Sequence, residues 1–170
     1  MFTKTLQTDR LLLRPFTLAD IQPSYEMETD PEISKYTHDG GVKTYKQVEQ
    51  LIRQVIEGDY AIFGFGRFAV EHLTTGEFIG FCGLKYLEDL DGVDLGYRLK
   101  RSFWGQGLAT EACRACIEYG FEERDLAQML AFILPENVRS KRVLEKLGFA
   151  FSRAFLDEGA EVQEYVLNRK

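Results

Sequence analysis

The chain has 170 residues, of which 45% are hydrophobic and 28% charged, a balance typical of one compact globular domain. Its 27 acidic and 21 basic side chains give a formal net charge of -6, which argues against duplex nucleic acid as a partner, because phosphates need a basic surface. No segment approaches the roughly 20 apolar residues that cross a bilayer, and residues 1–7 lack the core of a signal peptide. We therefore expect a cytoplasmic protein that binds neither membranes nor nucleic acid.

The first elements in chain order are one strand and three helices. The strand covers residues 9–15 and ends at Pro15, which cannot donate to a β-ladder. Capping boxes at Thr17 and Thr44, and an Asp-Pro pair at Asp30, predict the starts of the three helices. The first of them is expected to run to about Met27.

Dense aromatic and β-branched residues from Tyr60 onward predict a three-stranded meander. Its turns fall at 74–76 and in the acidic stretch 88–92, and its third strand covers 93–99. A long helix is predicted over 108–123, with small and apolar residues along one stripe.

The remaining elements are a strand, a helix and a hairpin. The strand over 128–134 is largely apolar, as expected of a central strand with both faces covered. Asn137 caps a helix that ends at Leu147, with Gly148 suited to the left-handed position beyond it. Residues 149–168 form the hairpin, so the whole is a mixed α+β sandwich with helices on both faces of the sheet.

The three cysteines, Cys82, Cys113 and Cys116, are predicted to be core residues. An odd number in a chain of this size argues against a disulfide framework. A closed zinc site is also hard to assemble, because the chain has no second Cys-x-x-Cys pair and only two histidines. We expect no bound metal.

A glycine turn at residues 102–112 is the most informative stretch, with the sequence Ser-Phe-Trp-Gly-Gln-Gly-Leu-Ala-Thr-Glu-Ala between a strand and a long helix. Gly105 and Gly107 allow a tight turn, and the first turn of a helix offers unpaired N–H groups to an anion such as a diphosphate. The alternative is a simple connection. Neither an ATPase nor a dehydrogenase is indicated, because the P-loop and the third glycine of the dinucleotide fingerprint are missing.

A second constellation begins at Asn137, followed by Ser140 and the pair Gly148-Phe149. By itself it reads as a helix cap and an exposed serine. Combined with the glycine turn, with 95–97 (Leu-Gly-Tyr) and with the opening strand 8–14, it resembles the GNAT superfamily of acyl-CoA-dependent N-acetyltransferases. Within that superfamily, the chain resembles the branch that acetylates the N-terminal alanine or serine of ribosomal proteins, and the resemblance covers nearly the whole chain.

The resemblance implies one acetyltransferase domain over residues 1–170, with a seven-stranded, mostly antiparallel sheet. Its middle strands, 93–99 and 128–134, are expected to splay apart, with acetyl-CoA as co-substrate in the opening. By the family pattern, the backbone around the glycine turn holds the diphosphate, while the end of the third meander strand and the cap of the last helix bind the pantetheine arm. The implied cofactor-binding residues are Leu99, Trp104, Gly105, Gln106, Gly107, Leu108, Ala109, Thr110, Asn137 and Ser140.

The sequence departs from the family pattern at two positions. Ser102 stands where Gln or Arg often contributes to phosphate binding, and Leu144 stands where many members carry a tyrosine that protonates the leaving thiolate.

The chemistry requires an amine to lose a proton and a thiolate to be stabilised. Asp94 is the first candidate for the base, and Ser140 is the available hydroxyl near the sulfur, with water supplying the proton. The alternatives for the base lie in the acidic turn, which also reads as solvated surface: Glu88, Asp89 and Asp91. A main-chain N–H at Leu99 or Lys100 is expected to serve the oxyanion.

We therefore expect transfer of an acetyl group to a primary amine in a ternary complex, with a protein N-terminus as the favoured acceptor. A small amine such as a polyamine, amino acid or aminoglycoside is the enzymatic alternative, and a non-catalytic acyl-CoA-binding module is the other. Aromatic residues of the early helices and hairpin either line an acceptor pocket or belong to the core: Tyr36, Phe63, Phe65 and Tyr86. Monomer and homodimer are both compatible with the sequence.

Overall fold

A computed structural model of the chain describes residues 1–38 and 41–170. Within them, one sheet of eight strands has the order β1-β2-β3-β4-β5-β6-β8-β7. The strands are β1 (Leu6–Gln7), β2 (Leu11–Arg14), β3 (Arg67–His72), β4 (Phe78–Leu87), β5 (Gly92–Leu99), β6 (Gln128–Ile133), β7 (Ala150–Asp157) and β8 (Ala160–Asn168). Every pairing is antiparallel except that of β5 with β6.

The expected mixed α/β class is confirmed, but the expected count of seven strands is one too low. The missed strand is β1, which spans two residues and pairs with β2. A strand of two residues is too short to show an alternating pattern, so the sequence offers no periodic signal for it.

Six α-helices accompany the sheet in the described residues: α1 (Ile21–Glu28), α2 (Pro31–Ser34), α3 (Tyr45–Arg53), α4 (Tyr60–Phe63), α5 (Leu108–Glu122) and α6 (Val138–Lys146). The predicted caps are present. The Thr17 N–H donates to the Asp20 carboxylate at 2.8 Å, the Asp30 carboxylate accepts from Glu32 N at 3.0 Å, and Thr44 Oγ1 accepts from Gln47 N at 3.2 Å.

The start of the meander was predicted wrongly. Residues 60–63 belong to α4, which continues α3 through a π-helical segment, Gln54–Asp59, and the first meander strand begins only at Arg67. Gly64 ends the helix in the left-handed conformation, with φ of 71°. The prediction failed because a short run of apolar and aromatic residues, such as the one that begins at Tyr60, is compatible with a buried helix as well as with a strand.

The helices cover both faces of the sheet. On one face, α5 and α6 pack on the main core, whose buried residues include Leu13, Phe68, Leu84, Leu95, Leu108, Cys116, Met129 and Leu144. On the other face, α1 and α3 bury a smaller cluster: Phe16, Ile21, Val48, Ile52, Ala69 and Phe78. Because side chains alternate along a strand, β5 turns Leu95 and Tyr97 toward α5 and Asp94 and Arg98 toward α1. No helix in the described ranges is long and apolar enough to cross a membrane.

Candidate active site

The two central strands diverge. β5 and β6 run parallel but are paired at a single register position, Asp94 with Leu130. Beyond it they separate and border a cleft of about 720 Å³. The cleft is lined from both faces of β5, by Asp94 and Arg98 on one side and by Tyr97 on the other.

Main-chain groups at the end of β5 face this opening. The Lys100 N–H donates to Ile79 O in β4 at 2.7 Å, so it is already used and does not suit the predicted oxyanion role. Alternation along the strand turns the main-chain groups of Tyr97 and Leu99 the opposite way, toward the diverging edge. The Leu99 carbonyl there accepts a hydrogen bond from Trp104 Nε1 at 2.9 Å, which ties the glycine turn to the strand.

The glycine turn has the conformation that its sequence predicts. Gly105 and Gly107 are left-handed, with φ of 75° and 77°, and α5 begins at Leu108. The N–H groups of Leu108, Ala109 and Thr110 lie in the first turn of α5, where no intrahelical acceptor exists for them. A Cβ at Gly105 would point into open space. These donors on an uncrowded turn suit the diphosphate of a nucleotide cofactor.

Two residues from outside the turn hold it in place. Arg10 donates to the Gln106 carbonyl at 2.9 Å and to the Glu111 carboxylate at 2.7 Å, and Thr8 Oγ1 donates to the same carboxylate at 2.6 Å. Partial burial opposes ionisation of Glu111, but the hydrogen bonds from Thr8 and Arg10 outweigh it and lower the pKa of Glu111. The sequence predicted a strand and a family resemblance for this segment, but not the contacts of Thr8 and Arg10 with the turn, which join residues about 100 positions apart.

The start of α6 adds the second constellation. Asn137 Oδ1 accepts from Ser140 N at 3.1 Å, which is the predicted cap, and both residues line the cleft. Ser140 Oγ is 3.0 Å from the hydroxyl of Tyr97, a residue to which the sequence had assigned no role. Burial raises the pKa of Tyr97 well above its ordinary value, so the phenol stays protonated.

The helix start and the glycine turn are neighbours in space. The guanidinium of Arg139 stacks over the Trp104 ring at 4.6 Å from its centroid. This places a positive charge beside the turn that lacks a Gln or Arg at Ser102. In the described residues, neither the turn nor Leu99 belongs to the lining of the cleft itself.

The carboxylate of Asp94 lies on the opposite side of β5 and is bound by Arg67. Arg67 Nη2 is 2.5 Å from Asp94 Oδ2, and both side chains are about 85% buried, with 15% and 14% exposure. Gly96 makes room for this pair, since a Cβ there would come within 2.6 Å of the Arg67 guanidinium. The alternative Asp89 also lines the cleft, but it and Glu88 are exposed, and Asp91 accepts from the Tyr86 hydroxyl at 2.5 Å.

The far end of the cleft is bordered by Tyr36, Thr37 and His38 and by the tip of β7. His38 Nε2 is 3.2 Å from Asp157 Oδ2. Among the aromatic residues considered for an acceptor pocket, Tyr36 lines the cleft. Phe63 instead packs against Phe65 and Tyr86, with ring centroids 6.4 and 4.8 Å apart.

The three cysteines pack against one another in the main core. Cys82 Sγ is 3.7 Å from both Cys113 Sγ and Cys116 Sγ, and all three are free and buried. Burial, together with the Cys82 thiol, raises the pKa of Cys116 well above its ordinary value, which keeps that thiol protonated and unreactive. In the part of the chain that the structure describes, no group of His, Cys, Asp or Glu side chains is arranged to hold a metal ion.

Comparisons with known proteins agree with this geometry. Residues 10–150 match the family model of the acetyltransferase (GNAT) domain. An uncharacterised N-acetyltransferase of Bacillus licheniformis is 34% identical over 148 residues, which cover 86% of this chain and 82% of that protein. An acetyltransferase of Agrobacterium tumefaciens superposes with a TM-score of 0.85 at 26% identity, covering 98% and 95% of the two chains.

A RimL ribosomal L7/L12 α-N-protein acetyltransferase in complex with coenzyme A has the same fold, with a TM-score of 0.82 at 15% identity over 97% of this chain and 98% of that one. The expected splayed sheet is thus the GNAT fold. The chain belongs to the GNAT family and is an acetyl-CoA-dependent N-acetyltransferase that acetylates amines.

Proposed function

We propose that the chain, working as one acetyltransferase domain, transfers the acetyl group directly to the N-terminal amine of a protein in a ternary complex. One observation carries the proposal: a single cleft is lined by side chains from both faces of β5. Donor and acceptor then approach from opposite faces and meet without an acyl-enzyme. The α-amine also costs less to deprotonate at neutral pH than a lysine, since its pKa is near 8 rather than near 10.4.

Acetyl-CoA supplies the activated acetyl group, and the glycine turn would hold its diphosphate. The donors would be the main-chain N–H groups of Gly105, Gln106, Gly107, Leu108, Ala109 and Thr110. The N–H of Trp104, which the sequence had also suggested, already donates to Arg101 O at 3.1 Å. Asn137 and the main chain of Leu99 would bind the pantetheine arm. The side-chain oxygen of Asn137 already caps α6, so its amide N–H₂ is the group left for this contact.

Asp94 would accept the proton of the acceptor ammonium, directly or through one water. Its Oδ2 is held by Arg67, which orients the carboxylate. A carboxylate is in general a weak base, which suits an α-amine, whose pKa is near 8, better than a lysine.

Ser140 would donate a hydrogen bond to the leaving sulfur while water supplies the proton. The protonated Tyr97 hydroxyl can donate to Ser140 Oγ, which leaves the serine proton free to point at the sulfur. Tyr97 thus provides from β5 a phenol that the family often carries at the position of Leu144.

The test is a comparison of acceptors at saturating acetyl-CoA. Peptides with free N-termini, the same peptides with blocked N-termini and a lysine, and a set of small amines are assayed for release of the CoA thiol. We expect the highest kcat/KM with free N-terminal peptides and little activity with the blocked ones. Turnover confined to small amines would overturn the protein N-terminus as acceptor and favour the small-amine alternative.

A further inference from the structure

A second cavity lies beside the cleft, between α1, α3 and the strands β4 and β5. It has a volume of about 240 Å³, and its lining is largely apolar: Phe16, Met27, Val48, Leu51, Ile52, Val55 and Phe81. Arg67, Phe81 and Arg98 line both this cavity and the cleft. The second cavity therefore adjoins the face of β5 that carries Asp94.

One buried carboxylate oxygen in this cavity has no hydrogen-bond partner. Asp59 is 94% buried and lines the cavity, and its Oδ2 atom accepts no hydrogen bond. Glu28, the other carboxylate in the lining, has partners for both of its oxygens. Arg98 Nη1 donates to them at 2.7 and 2.9 Å, and Lys43 Nζ donates to Oε2 at 3.4 Å. A buried polar atom without a partner costs free energy, which is a reason to look for a ligand.

The local backbone also sets this residue apart. Asp59 is the last residue of the π-helical segment Gln54–Asp59 between α3 and α4. Such segments are rare and are often found at functional sites. Burial raises the pKa of Asp59, while Lys85, a hydrogen bond from Gln54 and Arg67 oppose the rise.

The charges in the lining restrict what can bind. Among the described residues, the cavity is bordered by the cations Arg67, Lys85 and Arg98 and by the carboxylates Glu28 and Asp59. A second ammonium would add to a local excess of positive charge, whereas a neutral hydroxyl or amide N–H would not. The apolar walls suit a chain of carbon atoms leading to that donor.

We propose that this cavity binds an arm of the acceptor, an aliphatic chain that ends in a neutral hydrogen-bond donor, with Asp59 Oδ2 as the hydrogen-bond acceptor. The inference rests on the proposed amine acetylation and specifies the acceptor further. The arm enters past Phe81, which lies at the boundary of the two cavities, while the reacting amine stays in the cleft near Asp94.

The experiment uses linear primary amines over a range of chain lengths, each ending in a methyl, a hydroxyl or a second amino group. At the best length, we expect the hydroxyl-ended amine to exceed the methyl-ended one in kcat/KM by about tenfold, the value of one hydrogen bond to a carboxylate. Asp59→Leu should remove this preference while leaving the KM for acetyl-CoA and the kcat/KM of the methyl-ended amine within about twofold.

The matched control is Glu57→Leu, which removes a carboxylate from the same helical segment on its exposed side, and it should leave the preference unchanged. Asp59→Leu removes the oxygen without a partner but also the hydrogen bond from Gln54, so its thermal midpoint should stay within about 4 °C of that of the wild type. A large fall in the midpoint would indicate a structural role for Asp59 and overturn the proposal.

A binding measurement separates failure of this inference from failure of the proposed function. Straight-chain alcohols are titrated into the acetyl-CoA complex and followed by the methyl NMR signals of Met27, Val48 and Val55. If no amine or peptide is acetylated, the proposed function fails, and binding of the alcohols to wild type but not to Asp59→Leu still supports the cavity. The inference is wrong if amines are acetylated but kcat/KM depends neither on the terminal group of the amine nor on the Asp59→Leu substitution. It is also wrong if the diamine is the preferred substrate.

Discussion

At the scale of single residues, the contacts around β5 divide the chemistry between its two faces. Tyr97 and Ser140 meet on the side of α5 and α6, 3.0 Å apart, and Asp94 meets Arg67 on the side of α1 and α3. Each pair joins a residue of β5 to an element distant in sequence. A change at either pair should therefore affect one half of the reaction and spare the other.

We expect Ser140→Ala to lower kcat by about tenfold to hundredfold, because one hydrogen bond to a developing thiolate is lost. Tyr97→Phe should have a smaller effect in the same direction, since it acts through Ser140. Both are measured by steady-state release of the CoA thiol, with Ser152→Ala on the exposed β7 as the matched control. An unchanged kcat in Ser140→Ala would remove the serine from the mechanism.

For Asp94→Asn we expect a loss of roughly hundredfold in kcat/KM at pH 7. The deficit should shrink above about pH 8, because an α-amine with a pKa near 8 then loses its proton in solution. The pH profile is compared with that of Asp89→Asn, whose exposed carboxylate also lines the cleft, while acetyl-CoA affinity is followed by calorimetry. Equal rates for Asp94→Asn and wild type across this range would exclude Asp94 as the base.

At the scale of elements, the junction between β5 and α5 combines a local and a distant contribution. The left-handed glycines and the helix start are local, whereas Arg10 of the opening segment holds Gln106 and Glu111 from outside. The left-handed glycines bend the chain, and the contacts of Arg10 keep the bend in place. The proposed diphosphate site thus depends on a turn that Arg10 supports from a distant part of the chain.

Gly107→Trp should weaken acetyl-CoA binding by roughly hundredfold or more, because the bulky ring blocks the turn and several charge-assisted hydrogen bonds are lost together. Gly159→Trp is the matched control: Gly159 is also left-handed, with φ of 81°, and a Cβ there meets nothing within 4 Å. Both variants carry the same backbone strain, so the control separates strain from obstruction. The dissociation constant of acetyl-CoA is measured for both variants by calorimetry. Equal values for the two variants would contradict the proposed diphosphate site at the glycine turn.

At the scale of the whole molecule, the cleft exists because β5 and β6 share one register position and then part. Residues of α5 and α6 line one side of the opening, whereas α1 and α3 border the second cavity, which adjoins the cleft on the other face of β5. The larger hydrophobic core includes residues of α5 and α6 and lies on the side where we propose that the cofactor binds. The smaller cluster and the second cavity lie on the acceptor side.

A ligand that binds only the folded protein must raise its thermal midpoint. We expect a clear rise with acetyl-CoA and with CoA, and none with ATP or NAD at the same concentration, measured by differential scanning calorimetry. At a hundredfold excess over the dissociation constant the gain in stability is about 2.7 kcal/mol. A shift of similar size with ATP would mean that the site recognises only the nucleotide.

Features that form within a few residues could be predicted from the amino-acid sequence. Local spacing predicts the cap at Asn137, the left-handed turn at Gly105 and Gly107 and the helix after it, because these hydrogen bonds and dihedral angles join near neighbours. The family was indicated by the resemblance of these motifs, taken together, to the GNAT superfamily. Strand β1 and helix α4 were not predicted from the sequence, because elements of two and four residues are too short to show a periodic hydrophobic pattern.

Only the tertiary structure decided which side chains meet across the sheet. Tyr97 and Ser140 are 43 residues apart and Arg67 and Asp94 are 27 apart, so no local pattern joins them. The sequence likewise could not predict that Asp59 Oδ2 has no hydrogen-bond partner, because this depends on the positions of all the elements that surround it. The physical reason is the same in each case: burial and long-range contact depend on how the elements pack, whereas caps and turns depend on the chain beside them.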